Sequence, residues 1–206
     1  LALCNEFIAK YPDSAWAPDV IFWLGEYHFN HGNYAESERQ FAVLAERYPE
    51  APLADDALFW AGRAAAEKKD YLNAVDHFNE LAKRYPSSPK LAETRFAQGD
   101  VLSELGQFAG AILHFEEIIK KYPNSYLVDL AWGRKGDCQF TLGKDEPARY
   151  QEAIASYQAV LASPRASKDL KWQAEYKIGR CKEKMGQPAE ALEDYVNVVC
   201  GYLDDA

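Results

Sequence analysis

The sequence contains no long apolar run. Among its 206 residues the apolar stretches reach only five, as at Val20–Leu24, against the ~20 that a membrane-spanning helix needs. Positive charge is scarce as well: 23 Lys and Arg stand against 32 Asp and Glu, a formal net charge of -9. Nucleic-acid affinity depends on clustered cations that neutralise phosphates, so a duplex or RNA partner is excluded, and a basic or neutral protein surface is the better match. Cysteine occurs four times, at Cys4, Cys138, Cys181 and Cys200, with no CxxC and no Cys/His ligand spacing. Each lies among apolar residues in a helical pattern and is expected to be a buried, unpaired thiol. No G-x-S-x-G, P-loop or G-x-G-x-x-G occurs. The many carboxylates recur along helix surfaces rather than as one couple, so no catalytic residue, cofactor site or metal site is expected. His28 and His31 are three residues apart near Glu26 and Asn30, but no further ligands converge on them.

The composition is otherwise that of a folded chain, 48% apolar and 27% charged with 12 Gly and 10 Pro. It opens Leu1-Ala2-Leu3-Cys4, without an initiator Met or a basic segment followed by an apolar one. The expectation is a fragment of a longer protein whose targeting segment lies elsewhere.

What the sequence has in abundance is self-similarity. Tyr-Pro recurs at Tyr11-Pro12, Tyr48-Pro49, Tyr85-Pro86 and Tyr122-Pro123, each time 37 residues on, and Gly25, Gly62, Gly99 and Gly136 keep the same period. Phe41, Phe78 and Phe115, then Tyr157 and Tyr195, each follow by four a small residue at Ser37, Ala74, Ala111, Ala153 and Ala191. Three residue classes in phase over successive copies define repeats, expected at 14–50, 51–87, 88–124, 125–165 and 166–206 after a leading half-repeat at 1–13.

Each repeat reads as two antiparallel helices. In the second copy one helix is expected from just after Ala51, with Pro52 in its first turn, to about Lys68. After a turn at Lys69-Asp70, a second from about Tyr71 carries Ala74, Val75, Phe78, Leu81 and Ala82 at spacings of three and four. Ser14, Ser88 and Ser125 are candidate helix caps, with Pro89 as a first helical residue. A helix-interior Gly costs ~1 kcal/mol relative to Ala, so the periodic glycines, ending with Gly179, imply close helix contact, with Phe78 filling the seam between repeats. The fourth copy carries about five extra residues within Lys144–Arg149, expected to form a loop that is an incidental bulge. Trp16, Trp23, Trp60, Trp132 and Trp172 are assigned to first helices, packing repeats together.

The A-x3-F element at Ala74–Phe78 and Ala111–Phe115, the Leu24-Gly25 pair and the prolines at 49, 86, 123 and 164 resemble the tetratricopeptide repeat family, whose pattern runs W-x2-L-G-x2-Y, A-x3-F, P over 34 residues. The Trp is out of register here and the period is three residues longer, the extra residues lying in a Tyr-Pro-x-Ser link. That link and the phrase Phe22-Trp23-Leu24-Gly25-Glu26 are similar to the bacterial envelope branch, which includes an outer-membrane assembly lipoprotein and a Tol-Pal-associated periplasmic protein. The resemblance implies an all-α right-handed solenoid of five helix pairs plus a half-repeat, a single array preceded by further repeats, acting without catalysis as a protein-interaction scaffold in the periplasm or at the outer membrane. The alternative it leaves open is an architectural spacer with no groove ligand.

Carrying over the family's inner-surface positions gives a candidate concave groove. It comprises Asp19, Phe22, Glu26 and Phe29 in the first copy, Asp56, Phe59, Arg63 and Glu67 in the second, Glu93, Phe96, Asp100 and Glu104 in the third, and Asp137 and Phe140 in the fourth. Aromatics flanked by carboxylates suit a protein or peptide segment with apolar and basic residues.

Overall fold

The computed structural model describes residues 1–204, which form eleven α-helices and no strand. Two compact units emerge, divided between Leu105 and Gly106. The N-terminal unit holds α1 (Ala2–Lys10), α2 (Ala17–Asn30), α3 (Tyr34–Arg47), α4 (Ala54–Glu67), α5 (Tyr71–Arg84) and α6 (Leu91–Glu104). The C-terminal unit holds α7 (Phe108–Lys121), α8 (Val128–Leu142), α9 (Ala148–Ala162), α10 (Lys168–Lys184) and α11 (Pro188–Asp204). Within each unit every helix packs on its neighbours in sequence, which is the all-α, hairpin-by-hairpin construction of a solenoid.

The helix starts differ from expectation, because a separate turn leads into α2, α4, α6 and α8. Pro52 and Pro89 fall in that turn, ahead of α4 and α6. The hydroxyls of Ser14, Ser88 and Ser125 accept from the backbone N–H two residues on, at 3.3, 3.0 and 3.2 Å, so they cap the lead-in turn rather than the helix. Ser167 does cap a helix, accepting from the Leu170 N–H of α10 at 3.2 Å.

The periodic glycines make room for rings rather than for a second backbone. A Cβ on Gly62 would lie 2.5 Å from the Phe78 ring, and one on Gly25 would lie 2.7 Å from Phe41. Gly136 faces Tyr157 and Gly179 faces Tyr195 in the same way, at 2.5 and 2.6 Å. Phe78 therefore fills the seam inside its own hairpin, and the equivalent Phe41 also stacks on Trp60 of the following repeat at 6.4 Å. The small residues of the A-x3-F element, Ala74, Ala111 and Ala153, are fully buried. Ser37 replaces alanine in the first copy and spends its hydroxyl on the Gly25 carbonyl, 2.9 Å away.

The Tyr-Pro links are wired together. The Tyr48 hydroxyl donates to the Pro12 carbonyl at 2.6 Å, and the Tyr85 hydroxyl donates to the Pro49 carbonyl at 2.8 Å. In the C-terminal unit Arg165 makes the corresponding bond to the Pro123 carbonyl, at 3.1 Å.

Two side-chain assignments are corrected. Trp16 and Trp23 are 71% and 48% exposed, and Trp16 precedes α2 rather than lying in it; the short α1 covers little of that face. None of the four cysteines forms a disulfide among the described residues, but only Cys138 and Cys181 are buried, whereas Cys200 is exposed and Cys4 half-buried.

Candidate functional site

The predicted groove positions lie on first helices, α2, α4 and α6 in the N-terminal unit and α8 in the other. In the N-terminal unit the phenylalanines are already engaged. Phe22 meets Phe41 edge to face at 5.2 Å, and Phe29 packs on Tyr34 and Trp60 at 5.3 and 5.2 Å. Phe59 is only 7% exposed and leans on Trp60 and Phe78. It is a core side chain, and the expectation of an exposed anchor there is withdrawn. Phe96 keeps a partly exposed edge.

The carboxylates divide into two sets. Asp19, Glu26, Glu67 and Glu104 are exposed, and Glu93 and Asp100 are half-buried. Asp56 is paired with Lys90 at 3.3 Å, and the same ammonium lies 5.7 Å above the Phe59 ring. The aromatic and carboxylate pairing expected to receive a partner's cation thus holds, at this point, a cation from the following repeat. Arg63, the basic member of the set, lies 4.0 Å from Glu67 and 6.0 Å over Trp60.

The C-terminal unit brings Asp137 and Phe140 into a cleft between α8 and α10, with a cavity volume of about 240 Å³. Asp137 is engaged on one oxygen: its Oδ1 accepts from the Tyr157 hydroxyl at 2.9 Å and from Lys177 Nζ at 2.7 Å, and Arg134 stands 3.9 Å from Oδ2. Burial, reinforced by the Asp137 charge, raises the Tyr157 phenol well above its ordinary range, so it remains a donor. The same two causes, burial first, push the Cys181 thiol up to about 12, which makes it inert. Across the cleft, the Arg180 guanidinium lies 5.9 Å from the Phe140 ring and 6.0 Å from that of Tyr176. With Lys177 and Arg180 against one neutralised carboxylate, this cleft is cationic and aromatic. At Asp137 and Phe140 the expected carboxylate and ring are therefore joined by two cations of the following repeat.

Sequence reasoning missed Tyr157, Tyr176, Lys177 and Arg180. A signal was present: the position filled by Glu26, Arg63, Asp100 and Asp137 is Arg180 in the last copy. Gly133 was missed too. It holds the place of Phe22, Phe59 and Phe96, inside α8, and a Cβ there would meet nothing within 4 Å. Unlike Gly62, it has no packing reason to offset the ~1 kcal/mol that a helix-interior glycine costs.

His31 donates from Nδ1 to the Tyr27 carbonyl at 2.7 Å and stacks on the Tyr27 ring. Among the described residues, no group of three or more His, Cys, Asp or Glu is placed to hold a metal ion, and no helix is long and apolar enough to cross a membrane.

Two family models, both described as tetratricopeptide repeat, match the chain, one over residues 23–89 and the other over 92–125 and 173–199. No curated protein matches it in sequence. Solved structures share the fold. The crystal structure of a MamA protein superposes with a TM-score of 0.73 at 15% identity, covering 91% of this chain and 93% of its own. MamA from Desulfovibrio magneticus RS-1 gives 0.70 at 18% identity, covering 91% and 96%. Repeats of a putative kinesin light chain from Podospora anserina give 0.69 at 14% identity, covering 90% and 94%.

Proposed function

Because this chain belongs to the tetratricopeptide repeat family, we propose that it is a non-enzymatic scaffold whose first helices present a groove to an extended segment of a partner protein, within a bacterial cell-envelope assembly in the periplasm or at the outer membrane. The observation that carries the binding role is the mixture of engaged aromatics and unengaged charge along those helices. Glu26 is exposed beside Phe22 and Phe29, and Glu67, exposed near Trp60, has only the long 4.0 Å pairing with Arg63; these rings no longer need covering but still offer edges. In the N-terminal unit that chemistry suits a segment with apolar and basic residues. The envelope setting rests on the Tyr-Pro-x-Ser link and the Phe22–Glu26 phrase.

Site-specific photocrosslinking in the native cell tests the reading. A crosslinker at Glu26 or Phe96 is expected to capture a partner, and one at the exposed Leu72 on second helix α5 is not. Capture from Leu72 with none from Glu26 or Phe96 would move the interface off the first helices. The spacer reading is favoured by the packing of Phe22 and Phe59 on Phe41 and Phe78; it predicts no capture from any first-helix position.

A further inference from the structure

We infer that the cleft between α8 and α10 is a docking site of opposite sign to the first helices of the N-terminal unit, built for a partner segment that carries a large apolar side chain beside an acidic one. This rests on the binding reading above and names the ligand chemistry of the C-terminal unit.

Three observations converge. The first is the gap. The aromatic position held by Phe22, Phe59 and Phe96 is empty at Gly133 and filled again by Tyr176 in the next copy. Gly133 stands one turn before Asp137 on the same face of α8, outside the residues that line the cavity itself, and Tyr176 is on the opposite wall. Nothing within 4 Å fills the space. The second is the charge. Asp137 already holds Tyr157 and Lys177 on its Oδ1, and Arg134 stands 3.9 Å from Oδ2, so its charge is shared among cations of its own unit. Arg180 is less committed: its side chain is 42% exposed, its pairing with Glu183 is long at 3.8 Å, and its contact with the Tyr176 hydroxyl, at 3.5 Å, is at the outer limit of hydrogen bonding. A guanidinium held over two aromatic rings keeps its fork of N–H donors in one plane, which suits a carboxylate. The third is size. A cavity of about 240 Å³, lined by Phe140, Tyr157 and Tyr176, accommodates one large side chain rather than a cofactor.

The probe is a pair of twelve-residue peptides, acetylated and amidated so that no terminal carboxylate competes. One has Phe flanked by Glu in a Gly/Ser background, and the other has Lys in place of Glu. Amide chemical shifts of the labelled full chain report where each binds. The Glu peptide is expected to perturb α8 and α10, and Arg180→Glu is expected to weaken it about tenfold and to transfer the preference to the Lys peptide. Gly133→Phe, which restores the ring present in the other copies, is expected to abolish binding. Removing the competing carboxylate by Glu183→Gln should tighten it severalfold. Binding of the Glu peptide at α8 and α10 that ignores both Arg180→Glu and Gly133→Phe would overturn the proposal, as would a preference of the unaltered cleft for the Lys peptide. If the peptides perturb only α2, α4 and α6, this subsite falls and the groove reading stands. If neither perturbs any first helix, both fall.

Discussion

The two units are built from the same hairpin but use its charges in opposite ways. Residues 1–105 carry 17 acidic and 10 basic side chains, and residues 106–206 carry 15 and 13. In the first unit the ring over the hairpin glycine is phenylalanine, which asks nothing of its neighbours. In the second it is Tyr157, whose buried hydroxyl must have an acceptor and finds Asp137. That requirement explains the reversal of sign. A carboxylate recruited to satisfy a buried phenol, and then paired with Lys177, has its charge offset from within the unit, and Arg180 becomes the less committed charge of the cleft. In the first unit no buried phenol draws on Glu26, so its charge stays at the surface.

Substitutions can separate the two designs. The largest effect is expected from Phe78→Ala, since emptying a fully buried ring site typically costs ~3–5 kcal/mol. Because stability in such arrays is local to neighbouring repeats, hydrogen exchange should accelerate in α4 and α5 before it does in α9 and α10. Equal acceleration everywhere would show that the units unfold as one. Tyr157→Phe should cost less, ~1.5–3 kcal/mol by denaturant melting, the worth of a hydrogen bond to a charged group. A fully stable Tyr157→Phe protein would mean that Lys177 alone is sufficient for Asp137.

A third test uses pH. The Cys181 thiol is raised from its ordinary 9.0 to about 12, so its contribution to stability is present below pH 9 and is lost as pH rises toward 12, when the unfolded chain ionises first. Cys181→Ala should flatten that part of the stability profile. In the native protein at neutral pH, a thiol reagent should find Cys200 quickly and Cys181 not at all. The smallest effect belongs to Lys69, which adopts φ +63 at the place where Gly32 and Gly106 stand with φ +73 and +72. Lys69→Gly should be neutral or stabilising by up to ~1 kcal/mol, and a loss would show that the lysine stem contributes packing in the turn.

The fold was legible because its determinants are periodic. Tyr-Pro, the hairpin glycine and the A-x3-F element recur in phase, and one helix pair per period is a compact way to bury their apolar members. The partner of each glycine was misread because periodicity shows which positions are equivalent, not which ones touch. The constant interval of 16 residues from Gly25 to Phe41, Gly62 to Phe78 and Gly179 to Tyr195 was the available clue. The site was less legible for a different reason. Lys90 and Lys177 reach across from the following repeat, and neither belongs to a periodic class, so the neutralising of Asp56 and Asp137 leaves no trace in the pattern. Gly133 was readable in principle, as the one break in a column of rings. A missing side chain, though, has meaning only once the space around it is known to be open.

The hydroxyl ties of the N-terminal unit have a mechanical consequence. Tyr48 and Tyr85 each grip a proline carbonyl 36 residues earlier, so every tie short-circuits one complete hairpin. Under tension applied through the chain ends, load would pass from link to link through these bonds and bypass the helices between them. Each rupture would then release 36 residues at once, ~120 Å of contour. Force-extension traces should show that step, and Tyr48→Phe should blur it into gradual unravelling.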